Sequence, residues 1–229
     1  MTKTDYVDAH EQMEWWEKEK KGKRAPTHPA VREFAQPKVE IIASLIGMNE
    51  KTTVLDVGCG NGFFTHYFTQ KTTHVTGMDL SQYMLGLNAH TQLVRGRAEE
   101  LPFKDKSFDL VFCSNLLHHV ENPVDVVKEM VRVSKRFVSL SEPNARNPFM
   151  YLFSYLKKEE RGALKFTPDY LESVAHNAGL REIYLSEHGS VVPNKTPGWS
   201  VDLFKPLNKR MDRGFYTLFV GDRMDGIDY

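Results

Sequence analysis

Between residues 52 and 141 short apolar runs alternate with stretches of helical spacing, and this restricts the fold more than any other feature. Thr52 to Asp56, His74 to Met78, Gln92 to Arg95, Phe108 to Cys113 and Phe137 to Ser141 read as strands. Between them, Phe64, Tyr67 and Phe68 share one helical face, and Ser81 to Leu87 reads as a second helix. Asn122-Pro123 is a helix start, with a side-chain acceptor at the cap and proline at the first helical position; Val124, Val127 and Val131 follow at helical spacing. Upstream, Val39, Ile42 and Ile46 mark a helix that Gly47 stops. Downstream, Thr167-Pro168 repeats the start signal, Gly179 ends that helix, and Leu180 to Glu187 and Phe215 to Val220 are closing strands. Strands alternating with helices imply a parallel sheet covered on both faces. The last two strands lack an obvious helical crossover, so an antiparallel hairpin is expected at one edge. The expected fold is α/β: a seven-stranded, mostly parallel sheet with helices on both faces and an antiparallel edge hairpin.

Ligands in such sheets sit beyond the carboxyl ends of the strands, which directs attention to the loops after strands 1 to 4. The first carries Asp56-Val57-Gly58-Cys59-Gly60-Asn61-Gly62. Its glycines permit a tight turn and close approach of backbone to a ligand, and the N–H groups opening the next helix favour an anionic group. Asp56, at the strand end, is placed to accept hydrogen bonds from an ammonium or from backbone donors. Asp79, at the end of strand 2, is placed to grip both hydroxyls of a ribose. A purely structural role for Asp79 is to cap the helix near Ser81. Gly96 to Phe103, after strand 3, is a third candidate loop.

Taken together, Val54 to Gly62, Gly77-Met78-Asp79-Leu80-Ser81, Leu101-Pro102-Phe103 and Ser107 to Val111 resemble the class I S-adenosylmethionine-dependent methyltransferases, closest in flavour to the type 11 group. The resemblance covers residues 39–142 and implies a Rossmann-like domain, S-adenosylmethionine as cofactor and S-adenosylhomocysteine as product. The residues themselves, with Gly22, Pro26 and Pro29 as a linker, divide the chain into an N-terminal helical lid and linker over residues 1–30 and a methyltransferase domain over 31–229, with helical and aromatic insertions at about 144–166 and 189–212. The resemblance further implies that Asp56, Gly58, Cys59 and Gly60 face the methionine part. Asp79 would hold the ribose, Leu80 and Met84 would lie against the adenine, Ala98 would lend its N–H to the ring, and Ser114 and Asn115 would close over the methionyl side. Arg97 stands where the family often has Asp. A guanidinium has no acceptor for the adenine amino group, which leaves recognition to backbone and Glu99.

Type 11 enzymes modify quinones, lipids, sugars and other small molecules, so the expected partner is a small, partly apolar acceptor methylated on oxygen, nitrogen or carbon. His118, His119 and Glu142 are the candidate catalytic groups, each able to take a proton. One histidine is expected to face the pocket and the other to pack inward. The aromatics Phe149, Tyr151, Phe153 and Tyr155, the loop Pro193 to Trp199, and a lid carrying Tyr6, Trp15 and Trp16 on a helix over residues 5–20 are candidate acceptor walls. The same residues also suit a core, a membrane surface or a second subunit.

Thirty acidic and thirty basic side chains balance, which disfavours a nucleic-acid partner. A tRNA- or protein-directed methyltransferase is the alternative, resting on Lys18, Lys20, Lys21, Lys23 and Arg24. Interleaved Glu17 and Glu19 favour a solvated helix end instead. A cofactor-binding protein without turnover is a second alternative. A nicotinamide-dependent oxidoreductase is a third, weakened because Gly62 falls one residue early for the dinucleotide turn. Two cysteines outside any Cys-x-x-Cys pair give neither a disulfide framework nor a structural zinc site, and no metal is expected. The polar N-terminus and the absence of a long apolar stretch place the chain in the cytoplasm without a transmembrane segment. Peripheral membrane contact and oligomeric state stay open.

Overall fold

Alternation along each strand decides which side of the sheet a residue serves, and the computed structural model, which describes residues 23–208 and 213–224, shows the consequence. The strands are β1 (Val54–Val57), β2 (Val75–Asp79), β3 (Leu93–Arg95), β4 (Phe108–Ser114), β5 (Ser134–Pro143), β6 (Leu180–His188) and β7 (Tyr216–Arg223). The helices are α1 (Pro29–Ile46), α2 (Phe63–Phe68), α3 (Gln82–Leu87), α4 (Pro123–Val133), α5 (Pro148–Leu156), α6 (Pro168–Asn177) and α7 (Val201–Asn208). The strands form one sheet in the order β3-β2-β1-β4-β5-β7-β6. Pairing is parallel from β3 through β5 and antiparallel on both sides of β7. This is the expected Rossmann-like sheet with an antiparallel edge.

On β4, Leu110 and Phe112 join the cluster formed with α1 and α2, whereas Val111 and Cys113 join the opposite cluster with α4 and α6. Phe112 is fully buried, with its ring 4.6 Å from Phe64 and 5.2 Å from Phe68. Burying such a ring contributes about 1.5–3 kcal/mol. The same alternation puts Leu55 and Val57 on the α4 side and turns Asp56 toward α2.

Three local details differ from the sequence reading. The helix before β1 begins at Pro29, well ahead of the Val39 face, because His28 caps it by accepting from the Ala30 N–H and proline suits the first helical position. Asn122 gives no cap acceptor to α4; its side-chain amide donates to Asp125 instead. β7 lies inside the sheet between β5 and β6, although it comes last in the chain. Its run Tyr216 to Asp222 is buried, whereas in β6 only Leu180 is, so the more apolar strand holds the interior position.

The stretch 23–28 is tied to the domain. Arg24 donates to the Pro193 and Thr196 carbonyls at 2.7 and 2.6 Å, and Tyr67 donates to the Pro26 carbonyl at 2.8 Å. Arg132 on α4 similarly fixes the loop after β3, donating to the Leu101 and Phe103 carbonyls at 2.9 Å each.

Candidate active site

At the end of β1 the chain must reverse into α2 within a few residues, and Gly58, Gly60 and Gly62 all adopt left-handed φ values of 70°, 52° and 88°. Only glycine holds that conformation without steric cost. The turn is pinned to β2: the Gly58 and Cys59 N–H groups donate to the Met78 carbonyl at 2.8 and 2.9 Å. The Asp79 carboxylate accepts from the Gly60 N–H at 2.9 Å and from the Ser81 N–H at 2.8 Å. A Cβ at Gly58 would stand 3.2 Å from Leu116, and one at Gly60 3.2 Å from Met84. The turn therefore forms a close backbone cradle at the mouth of the sheet. The helix-cap role open to Asp79 falls to Ser81, whose hydroxyl accepts from the Met84 N–H.

This cradle is one wall of a cleft of about 240 Å³. Gly58, Cys59, Gly60, Asp79, Leu80, Met84, Arg97, Ala98, Glu99, Ser114 and Asn115 all line it. Asp56 does not. It lies 2% exposed beneath the turn, where the Thr65 hydroxyl donates to its carboxylate at 2.6 Å. Burial raises its pKa to about 7 against the opposing Thr65 hydrogen bond. Burial likewise raises the pKa of Asp79, against the backbone hydrogen bonds from Ser81 and Gly60. Arg97 stays exposed and pairs loosely with Glu99 at 3.4 Å. Asn115 follows β4 in the left-handed region with φ 52°. Its side-chain oxygen and the Ser114 hydroxyl are buried without a hydrogen-bond partner among the described residues. Two orphaned polar atoms on residues that line the cleft fit a polar ligand there.

The three candidate catalytic groups separate sharply. Leu117–His119 forms a single 3₁₀ turn after β4, which sends successive side chains in different directions. His119 reaches the cleft wall beside Leu116 and Val120. His118 is turned inward, 3% exposed, and its Nδ1–H donates to Glu142 at 2.6 Å. Glu142 is wholly buried and is not part of the cleft lining. Its other oxygen accepts from the Leu116 and Leu117 N–H groups at 2.9 Å each. The structure therefore corrects the placement of His118 and Glu142: they hold the turn that presents His119, and both Glu142 oxygens are already engaged. Burial disfavours a charge on His118, but the Glu142 and Glu160 carboxylates overcome this and raise its pKa. Burial, then the charge on His118, lowers the pKa of His119.

The sequence reading missed Glu160, 3.3 Å from His118 Nε2, because it arrives on the 3₁₀ segment Lys158–Lys165 beyond α5. It also missed Phe34, Asn61, Phe63 and Phe64 as lining residues. Phe34 lies on α1, and no local pattern ties it to the glycine turn. Of the expected acceptor walls, Pro193 and Asn194 line the cleft, whereas Phe149, Tyr151, Phe153 and Tyr155 do not. Phe149, Tyr151 and Tyr155 on α5 are exposed, and Phe153 packs on the α1-side cluster. Tyr6, Trp15 and Trp16 lie outside the described residues.

Residues 55–137 match the family model described as "Methyltransferase domain". The chain is 34% identical over 190 residues to the ubiquinone biosynthesis O-methyltransferase of Pseudomonas paraeruginosa, covering 72% of this chain and 77% of that protein. It is 30% identical over 192 residues to the enzyme of the same name from Nitrosomonas europaea, covering 73% and 77%. In fold it is similar to a SAM-dependent methyltransferase from Aquifex aeolicus, with a TM-score of 0.60, 18% identity, and coverage of 88% of this chain and 100% of that one. Among the described residues no helix is long and apolar enough to cross a membrane.

Proposed function

The chain belongs to the class I S-adenosylmethionine-dependent methyltransferases, and from that premise we propose that it methylates a hydroxyl oxygen of a small, partly apolar acceptor. It is an enzyme, and its cofactor is S-adenosylmethionine. The acceptor reading rests on one observation: His119 stands alone among the catalytic candidates on the cleft lining, to which Leu116, Val120 and Phe34 add apolar surface. A titratable side chain together with such apolar surface suits a ring bearing a hydroxyl. The names of the 34% and 30% identical relatives support oxygen as the atom methylated.

The residues present fit the cofactor. Ser114 Oγ and Asn115 Oδ1, buried and without partners among the described residues, suit the polar methionyl end. The Asp79 carboxylate, held between the Gly60 and Ser81 N–H groups, suits the ribose hydroxyls. Leu80, Met84 and Ala98 offer an apolar seat for the adenine, with Arg97 and Glu99 at the rim. When bound, S-adenosylmethionine supplies a sulfonium methyl group for in-line displacement by the acceptor. The chain contributes alignment, which accounts for much of the rate in such a reaction because holding atoms in attack geometry removes the entropic cost. In this reading His119 addresses the acceptor hydroxyl, and Leu116 and Val120 flank it in the chain on the cleft lining.

The test is a methyl-transfer assay with S-adenosylmethionine and a panel of catechols, other phenols, sugars, amines and unmodified tRNA, with products identified by mass spectrometry and proton NMR. A methyl ether on a phenolic oxygen is expected. Methyl groups found only on nitrogen, on carbon or on tRNA would overturn the reading.

A further inference from the structure

We propose that Asn194 is a specificity-determining residue: it hydrogen-bonds a second oxygen substituent of the acceptor, other than the hydroxyl that His119 addresses. The inference rests on the reading above for a small, partly apolar acceptor and adds what selects it. Asn194 and its neighbour Pro193 line the cleft. The Asn194 side-chain oxygen is buried and has no hydrogen-bond partner among the described residues. An amide carries one acceptor oxygen and two N–H donors, and a half-turn of the group exchanges them. Either orientation leaves a polar edge unmatched there, and an unmatched buried polar atom costs stability. Leucine, of similar size, would avoid that cost. The amide is therefore in keeping with a ligand that completes its hydrogen bonds.

The loop after β6 holds this amide in place through its own hydrogen bonds. The Lys195 and Thr196 N–H groups donate to the Val192 carbonyl at 3.0 and 2.9 Å, and the Val192 N–H donates to the Thr196 hydroxyl at 2.9 Å. Residues 192–196 thus close on themselves in one tight turn, with Asn194 at its middle. Arg24 clamps the turn through the Pro193 and Thr196 carbonyls. The Arg24 carbonyl in turn accepts from the Asn61 side-chain amide at 2.9 Å, which ties the turn to the glycine loop. A side chain carried on so fixed a backbone recognises a ligand group at little ordering cost. The cofactor draws on other elements: Asp79 suits its ribose, Leu80, Met84 and Ala98 its adenine, and Ser114 and Asn115 its methionyl end. The Asn61 amide is taken by Arg24. Asn194 is the amide left for the acceptor. Its oxygen accepts from a hydroxyl and its nitrogen donates to one, so a ring bearing two oxygens can engage both His119 and Asn194. A site that hydrogen-bonds a substrate hydroxyl rejects the analogue lacking it far better than an apolar pocket rejects a missing methylene.

Purified full-length chain saturated with S-adenosylhomocysteine would be titrated by calorimetry with butylcatechol and with butylphenol, the same ring with and without a second hydroxyl. The wild type is expected to bind the catechol about three- to tenfold more tightly, the worth of one hydrogen bond. Asn194→Leu is expected to bind the two rings alike, whereas Asn194→Asp, which keeps an acceptor oxygen in place, should retain the preference. S-adenosylhomocysteine affinity is expected to be unchanged in both variants, showing that they fold; should Asn194→Leu not fold, Asn194→Ala carries the comparison. The same preference in wild type and the folded Leu or Ala variant, or no binding of either ring to the wild type, would overturn the proposal. Weakened S-adenosylhomocysteine binding in a folded variant would overturn it too, by assigning Asn194 to the cofactor. No methyl group moves in this titration, so methylation found on nitrogen or carbon would sink the functional reading and leave the catechol preference to be judged by itself.

Discussion

Glu142 Oε2 and His118 Nδ1 are 2.6 Å apart with both side chains out of contact with solvent, and this bond helps join the end of β5 to the turn after β4. Because the other Glu142 oxygen takes the Leu116 and Leu117 N–H groups, one carboxylate satisfies three buried donors at the wall of the cleft. Glu142→Ala would leave all three exposed to an apolar interior. A loss of about 3–5 kcal/mol is expected, the usual cost of removing one partner of a buried charged pair. Urea unfolding followed by circular dichroism measures it. A loss below 1 kcal/mol, roughly the value of a surface ion pair, would contradict this account of the turn.

Asp79 stands at the cleft with its carboxylate between two backbone donors. Asp79→Ala is expected to weaken S-adenosylmethionine binding by about tenfold to a hundredfold, since a hydrogen bond to a charged group contributes about 1.5–3 kcal/mol. Calorimetric titration gives the number directly, and unchanged affinity would remove Asp79 from the ribose site.

Asp56 offers a pH test without cofactor. Its pKa is raised from 3.8 to about 7 in the folded chain. A carboxyl with a raised folded-state pKa contributes its full stability below the unfolded value and loses it as pH rises through the folded one. Asp56→Asn should therefore gain on the wild type between pH 5 and pH 8, by up to about 3 kcal/mol for the two units between pH 5 and the folded pKa, at about 1.4 kcal/mol per pKa unit. Any constant penalty from the buried amide is common to both pH values. Denaturant midpoints at the two pH values supply the comparison, and a difference that does not change with pH would refute the raised pKa.

Arg24 holds the Pro193 and Thr196 carbonyls, and Pro193 lines the cleft. Arg24→Ala is expected to speed hydrogen exchange at the Lys195 and Thr196 amides, both bonded to the Val192 carbonyl, while the core strands keep their protection. Exchange measured by mass spectrometry reads this locally. Unaltered protection over 193–197 would mean the loop is held without Arg24.

Features that depend on near neighbours were legible in the chain alone. Strand and helix periods, the left-handed turn that Gly58, Gly60 and Gly62 permit, and Asp79 at the end of β2 follow from residues a few positions apart, which share one strand, turn or helix face. Tertiary structure decided the rest. Alternation on β1 turned Asp56 under the cleft because the strand ended one residue later than the local pattern indicated, at Val57. The 3₁₀ turn sent His118 inward and His119 outward, and the burial of β7 placed it between β5 and β6. Glu160 and Phe34 reach the histidine turn and the cleft from distant elements, and α5 carries its aromatics away to the surface. Such contacts are set by how whole elements bury their apolar faces, and no periodicity within one element encodes them.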